Sequence, residues 1–387
     1  MDFRFTPQQE RFREEIRNFL QEELTGEMLE EVEGMVGGPG FISMELAKKI
    51  GQKGWLAPSW PREYGGLGLS YIEDLIAWEE MALARFIRVL VGIAIAPVIL
   101  HHGNEEQKRR FLPPIARGEV EYVFGYTEPQ AGTDLAALEL RAVEYDDCYI
   151  MNGQKVFSTR ADIADYHWLA ARSDPNVPKH KGISLFVVDL KTPGITIRPL
   201  KRLDGPTSTE TFYDNVRVPK ENLIGEKNKG WYYIMEALDF ERIYTFPVAA
   251  YLPFFSDLVS FAKENLINGV RIADNPFIRQ QLATLAIEME VGRMLNYRAV
   301  WLLDTGRISS HESAMMKVFI TEMVQRLAKT GMQILGLAAP LQKGSKWAPI
   351  GGEIEHLYRI AIMPTFGAGN NEVLRDLIAI RGLGLPR

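Results

Sequence analysis

Apolar residues recur at helical spacing near the start of the chain. Thr6, Pro7 and Gln9 stand in the order of N-cap, first helical position and capping-box partner, and Phe12, Ile16, Phe19 and Leu20 follow on one face, which predicts a helix beginning here. The same period predicts helices over residues 43–54, 71–86, 89–101 and 105–116, with a turn-rich stretch at 60–68 between the first two. Between residues 121 and 220 the pattern changes. Short runs rich in Tyr, Val, Phe, Ile and Thr, such as 122–127, 184–189 and 211–218, are separated by Gly, Asp and Pro, and they predict strands. After Gly230 the helical period returns, most clearly over 278–303 and 312–335.

Contiguous blocks of helix, strand and helix, without alternating strand-helix units, argue against a doubly wound nucleotide-binding fold. They predict a multi-layer α+β protein with an N-terminal helical domain at 1–120, a small β-domain at 121–230 and a C-terminal helical domain at 231–387. No internal repeat is found.

Composition narrows the function classes. The chain has 387 residues, 46% hydrophobic and 24% charged, which is ordinary for a globular protein. A net charge of -6 argues against nucleic-acid binding, since the longest basic cluster is only Lys108, Arg109 and Arg110. A single cysteine, Cys148, excludes an intramolecular disulfide and a multi-thiolate metal site. It fits a reducing compartment, and the expectation is a cytoplasmic protein. No secretion signal is read at the N-terminus. The most apolar run, 89–100, is about twelve residues against the roughly twenty needed to span a bilayer, so no membrane span is expected. The six histidines, His101 and His102 among them, form no metal-ligand spacing, and no metal is expected.

The stretch most suited to chemistry is Gly125-Tyr126-Thr127-Glu128-Pro129-Gln130-Ala131-Gly132-Thr133-Asp134, at the end of a predicted strand. Such a turn presents backbone N–H groups and the hydroxyls of Thr127 and Thr133 at a sheet edge, although Pro129 and Gly132 would justify a purely structural turn equally well. The Gly65-Gly66-Leu67-Gly68 segment reads as a turn and not as a phosphate loop, because no strand precedes it.

The Thr127-to-Asp134 segment resembles the signature of the acyl-CoA dehydrogenase family, in which a strand ends in Thr-Glu-Pro followed by Ala-Gly-Ser/Thr-Asp; Tyr126 is bulkier than the usual residue there. Further stretches resemble the family in its own order. They are Tyr64 to Gly68, Gly103 to Lys108 with Leu112-Pro113, Asn152 to Thr159, Val216 to Pro219 with Gly225-Glu226, and Gln333 to Gly336. The resemblance implies a barrel-like β-domain, a C-terminal four-helix bundle, and FAD as cofactor. It implies that Thr127 and the backbone around Tyr126 bond the flavin ring, with Gly132 in the same turn, and that Phe157 and Thr159 flank the ring. Thr133 would lie near the ribityl chain or the CoA pantetheine. Gln333 and Gly336 would reach a neighbouring subunit's adenine half, and Asn370 and Glu372 the nucleotide.

Two departures matter. The Arg-Lys-x-Phe-Gly segment expected upstream of Ile278 is absent, the chain reading Gly269-Val270-Arg271-Ile272-Ala273-Asp274-Asn275-Pro276, so some FAD contacts are expected from a different subunit. Many members carry the catalytic glutamate in a Glu-Gly-Thr/Ser motif near the C-terminus, but here Ala368 occupies that position and cannot accept a proton. A minority carries it before an arginine on the helix following the β-domain, and Asp239-Phe240-Glu241-Arg242 resembles that arrangement. Glu241 is therefore the expected base, with Thr133, Asp239 and Arg242 on the substrate side. A carboxylate entering an apolar site among Tyr244, Phe246 and Pro247 would have the basicity needed to take an α-proton.

The expectation is FAD-dependent α,β-dehydrogenation of an acyl-CoA, with a branched, cyclic or steroid side-chain thioester as substrate. An electron-transfer flavoprotein is expected as acceptor, and the assembly as a homotetramer or a heterotetramer with a related subunit. Two other readings remain open: an FAD- or CoA-binding subunit whose partner supplies the catalysis, and a flavin monooxygenase of the same fold.

Overall fold

The computed structural model describes residues 4–24, 44–84, 91–203, 207–307 and 310–386; the expected helix residues 43, 85–86 and 89–90 lie outside them. The predicted first helix is α1 (Pro7–Glu23), and its capping box is formed: the Thr6 hydroxyl accepts from the Gln9 N–H at 3.2 Å while the Gln9 side chain accepts from the Thr6 N–H at 3.0 Å. It is followed by α2 (Met44–Gln52), α3 (Tyr71–Leu83), α4 (Val91–His102) and α5 (Glu105–Ala116). Asn104 and Gln107 form a second capping box at the start of α5, where each such cap contributes about 1 kcal/mol.

The sheet comprises β1 (Tyr122–Gly125), β2 (Arg141–Glu144), β3 (Cys148–Val156), β4 (Tyr166–Arg172), β5 (Ile183–Asp189), β6 (Ile195–Lys201), β7 (Thr207–Pro219) and β8 (Leu223–Ile224). Its path is β6-β7-β3-β2-β4-β5-β8, and β1 joins β4 in parallel. Most other pairs are antiparallel, so alternate residues line one face. Leu140, Ala142, Tyr149, Met151, Leu169, Phe186, Val188, Val216 and Val218 meet there in one buried cluster.

Helical structure resumes with α6 (Gly230–Thr245), α7 (Leu252–Glu264), α8 (Pro276–Asp304), α9 (Ser310–Leu335), α10 (Glu353–Ile360) and α11 (Asn371–Leu377). A two-stranded hairpin, β9 (Leu266–Ile267) with β10 (Val270–Arg271), interrupts this third, which the helical period alone did not predict. Its turn is Asn268-Gly269, both with positive φ (52° and 81°), the pair best suited to a two-residue hairpin loop. Helices α8 and α9 approach closely at Gly292, where a Cβ would fall 2.7 Å from Val248 and 3.3 Å from Ile320.

The chain forms two compact units. One contains α2, α4, α5, the eight-stranded sheet and α6 as far as Glu241; the other contains α1, α3 and everything from Arg242 onward. Among the described residues no single helix is long and apolar enough to cross a membrane.

Candidate active site

In the unit that holds the sheet, the signature turn closes on itself: Glu128 and Ala131 exchange backbone hydrogen bonds of 3.1 and 3.0 Å. The Glu128 carboxylate is buried beneath it. It accepts from the backbone N–H of Glu139 (2.6 Å) and Leu140 (2.9 Å), from Gln130 (2.9 Å) and from the Lys155 ammonium (2.7 Å). Lys155 is fully buried and donates also to the Tyr126 carbonyl at 3.1 Å. Burial pushes this lysine down to about 8, with Glu128 acting in the opposite sense. The ion pair thus clamps the turn onto β3 from below.

Above the clamp, the Val156 N–H donates to the Thr127 carbonyl at 2.9 Å, which sets the two expected flavin-contacting segments side by side. Phe157, just past β3, takes a positive φ of 62° and leaves its ring 65% exposed. For a bulky residue this is a strained conformation, costing on the order of 1–3 kcal/mol, and it persists only where neighbours enforce it. The enforcement comes from Ser158. Its hydroxyl donates to the Phe124 carbonyl (2.9 Å) and its carbonyl accepts from the Thr209 hydroxyl (2.5 Å). Because the Ser158 proton is spent on Phe124, His167 Nε2 must be the donor in its 2.9 Å bond to Ser158, leaving Nδ1 to accept from the Tyr213 hydroxyl at 2.5 Å. That requires a neutral imidazole. Burial, followed by the nearby Lys155, pushes His167 down to about 3, so the required form is the one present at neutral pH.

The expected flavin residues fit a planar heteroaromatic ring. The half-buried Thr127 has no hydroxyl partner among the described residues, and Thr159 is exposed, with Arg202 donating to its hydroxyl at 3.2 Å. A Cβ built on Gly132 would meet nothing within 4 Å. An exposed aromatic face, two accessible hydroxyls and an open glycine are the donor set and space such a ring needs. Thr133 is exposed on the same turn.

Helix α6 brings Glu241 to this unit. It is half-buried, while Asp239 is buried. The Tyr126 ring, 6% exposed, accepts a 2.9 Å hydrogen bond on its hydroxyl from Trp168 Nε1. Burial raises the Tyr126 hydroxyl well above the ordinary tyrosine range, and the Glu241 carboxylate raises it further.

In the other unit, the buried Arg242 donates through Nε to the Ala368 carbonyl at 3.0 Å. Ala368 and Gly369 both have positive φ, 54° and 90°. The buried Lys317 of α9 donates to the carbonyls of Thr365 (3.1 Å) and Gly369 (2.8 Å) and to the Asn371 side chain (2.9 Å), so two cations hold this loop by its oxygens. Asn370 caps α11, its side chain accepting from the Val373 N–H at 2.8 Å. Glu372 lines a cleft of about 530 Å³ together with Glu322, Arg326, Lys329, Tyr358 and Asn371. Gln333 and Gly336 do not line it. They are exposed at the end of α9, where Gln281 donates to Gln333 at 3.2 Å and Gly336 has a φ of 61°.

Sequence reasoning passed over Glu128, Lys155, His167, Trp168 and Lys317. A signal existed for Lys317, which falls in helical register with the buried Ser313, Ala314, Ile320 and Thr321. Among the described residues no cluster of three or more His, Cys, Asp or Glu side chains could hold a metal ion.

Family models described as the N-terminal, middle and C-terminal domains of acyl-CoA dehydrogenase match residues 6–119, 123–216 and 228–383. Acyl-CoA dehydrogenase FadE26 of Mycobacterium tuberculosis is 37% identical over 398 residues, covering 100% of this chain and 99% of that protein. The ChsE4-ChsE5 complex from Mycobacterium tuberculosis matches with a TM-score of 0.91 at 36% identity, covering 100% of both chains. The Tcur3481-Tcur3483 steroid ACAD matches with a TM-score of 0.90 at 36% identity, again covering 100% of both. With all three domains matched in order, the chain belongs to the acyl-CoA dehydrogenase family and is an oxidoreductase with FAD as its cofactor.

Proposed function

We propose that the chain catalyses α,β-dehydrogenation of an acyl-CoA thioester to the trans-2-enoyl-CoA, with Glu241 as the base and a branched, cyclic or steroid side-chain acyl group as substrate. The observation that carries the base assignment is the loop at Ala368. That position offers only a methyl group and a carbonyl already engaged by Arg242, whereas Glu241 is a half-buried carboxylate on α6. The steroid-type reading is supported by the description of one similar structure as a steroid ACAD.

When bound, FAD supplies the acceptor for the β-hydride. Glu241 takes the α-proton onto its carboxylate, and its half-buried setting limits water's competition for that proton. Thr127 and the Tyr126 backbone offer hydrogen bonds to the ring, Gly132 admits it closely, and Phe157 and Thr159 border it. Thr133 serves the ribityl or pantetheine side, while the buried Asp239 and Arg242 shape the substrate's surroundings. Asn370 and Glu372 serve the nucleotide, and Gln333 and Gly336 reach a neighbouring subunit's cofactor. Domain limits near 120 and 230, a cytoplasmic setting, electron transfer to an electron-transfer flavoprotein, and assembly as a homotetramer or heterotetramer belong to the same proposal. The heteromeric form is supported by the similarity to the ChsE4-ChsE5 complex.

Glu241→Gln is the test, because it keeps the side chain's size and removes its basicity. Anaerobic bleaching of the flavin by a panel of acyl-CoA thioesters is expected to slow by about 10²–10⁴ with FAD still bound, the usual worth of a general base. A variant that bleaches as fast as the parent would remove Glu241 from the mechanism.

A further inference from the structure

The family reading uses only the backbone of Tyr126, yet its side chain has an unusual hydrogen-bond status. The hydroxyl is buried, and its oxygen accepts the indole N–H of Trp168 at 2.9 Å. Among the described residues the O–H proton has no acceptor. Leaving a buried donor unused is costly unless a partner arrives during function. The indole fixes which side of the oxygen is occupied, so the proton is confined to the remaining directions. Glu241, half-buried on α6 in the same unit, is a carboxylate whose charge is felt at this hydroxyl. Lys155 is committed to Glu128 and to the Tyr126 carbonyl.

We propose that Tyr126 is a positioning residue for Glu241: in the substrate-bound enzyme its hydroxyl, held by Trp168, donates its proton in a hydrogen bond to the Glu241 carboxylate and fixes the rotamer from which that carboxylate faces the α-carbon. This rests on Glu241 being the base. A hydrogen bond to an ionised oxygen is directional, so it selects one side-chain geometry among several. It acts through Glu241 and touches neither thioester nor cofactor.

Four variants test this: Tyr126→Phe, Trp168→Phe, the two combined, and Tyr126→Phe in a Glu241→Gln background. The readout is the anaerobic rate of flavin bleaching at saturating acyl-CoA, with FAD content and melting temperature measured on each. Tyr126→Phe is expected to slow bleaching about ten- to a hundredfold, the worth of one charge-assisted hydrogen bond, with the apparent substrate affinity within about threefold of the parent. Trp168→Phe keeps the hydroxyl but releases its orientation, and is expected to slow bleaching by less than Tyr126→Phe does. The combined variant leaves no unpaired indole N–H, so a rate loss equal to that of Tyr126→Phe cannot be ascribed to a stranded indole donor. In the Glu241→Gln background the Tyr126 change is expected to add nothing, because the two act as one unit.

Three results would overturn the proposal: a parent-like rate in Tyr126→Phe, an equal loss in Trp168→Phe, or a loss that appears only as weaker substrate affinity. The last would mean that the hydroxyl serves the acyl chain. Fast bleaching by Glu241→Gln alone would instead sink the base assignment, whatever Tyr126 does.

Discussion

At the scale of single residues, the motif's most recognisable carboxylate does structural work. Glu128 sits in the signature turn, and its buried carboxylate accepts from two backbone N–H groups, Gln130 and Lys155. A buried ion pair contributes little against a well-packed apolar pair, yet removing one partner strands the other in a dry interior. Lys155→Met is therefore expected to cost about 3–5 kcal/mol, because the buried Glu128 would lose its charged hydrogen-bond donor. Chemical denaturation of the single variant and of the Lys155→Met, Glu128→Gln pair, which keeps an acceptor for the two backbone N–H groups, checks this. The pair should recover most of the loss, and a single variant as stable as the parent would show that the clamp is dispensable. Glu241 is proposed from the sequence because position 368 is an alanine and a glutamate stands before an arginine after the β-domain. Lys155 was not legible. A lysine in a strand reads as a solvent-facing residue until the turn that covers it is known.

At the scale of elements, β4 connects the turn to the strained Phe157 through His167. Chemical logic and burial agree that this imidazole is neutral, with Nδ1 accepting from Tyr213 and Nε2 donating to Ser158. The consequence for acid stability has a definite sign. The folded value near 3 lies below the ordinary histidine value of 6.5, so between those limits the unfolded chain binds a proton that the folded chain refuses. The stabilisation is complete above 6.5 and is lost as pH falls toward 3, at up to about 1.4 kcal/mol per pH unit from this one group. Unfolding measured from pH 7.5 down to 4.5 should show this slope, and His167→Gln should flatten it while lowering stability at neutral pH. An unchanged slope would mean that other groups dominate the acid limb. Helix and strand positions were largely legible, because α1, α5, α8 and α9 carry caps or long apolar periods. The hairpin β9–β10 was missed although Asn268-Gly269 signalled it, since two strands of two residues each offer no periodicity to read. His167 was missed for a different reason: a lone histidine in a strand has no distinguishing neighbour until Ser158 and Tyr213 are brought to it by β3 and β7.

At the scale of the whole molecule, the unit containing α8 and α9 leaves large apolar side chains in the open. Leu337 is fully exposed, Phe277 is 79% and Trp347 73% exposed, and Ile287 lies 66% exposed on α8. Single exposed apolar residues are normal, and side chains of this size are what an assembly contact would cover. Leu337 directly follows Gly336, whose positive φ of 61° turns the chain at the end of α9, and Gln333 lies one helical turn earlier. If this element reaches a neighbouring subunit's cofactor, assembly and FAD retention must be coupled, since a ligand that binds only the assembled form stabilises that form by mass action. Leu337→Glu combined with Trp347→Arg is therefore expected to lower the molar mass seen by light scattering and to reduce bound FAD in parallel, with the helical signal retained. Adding FAD should shift the equilibrium back toward the larger species. A parent protein that runs as a monomer with one tightly held FAD per chain would show that the exposed residues serve some other contact, and that Gln333 and Gly336 have been given the wrong partner.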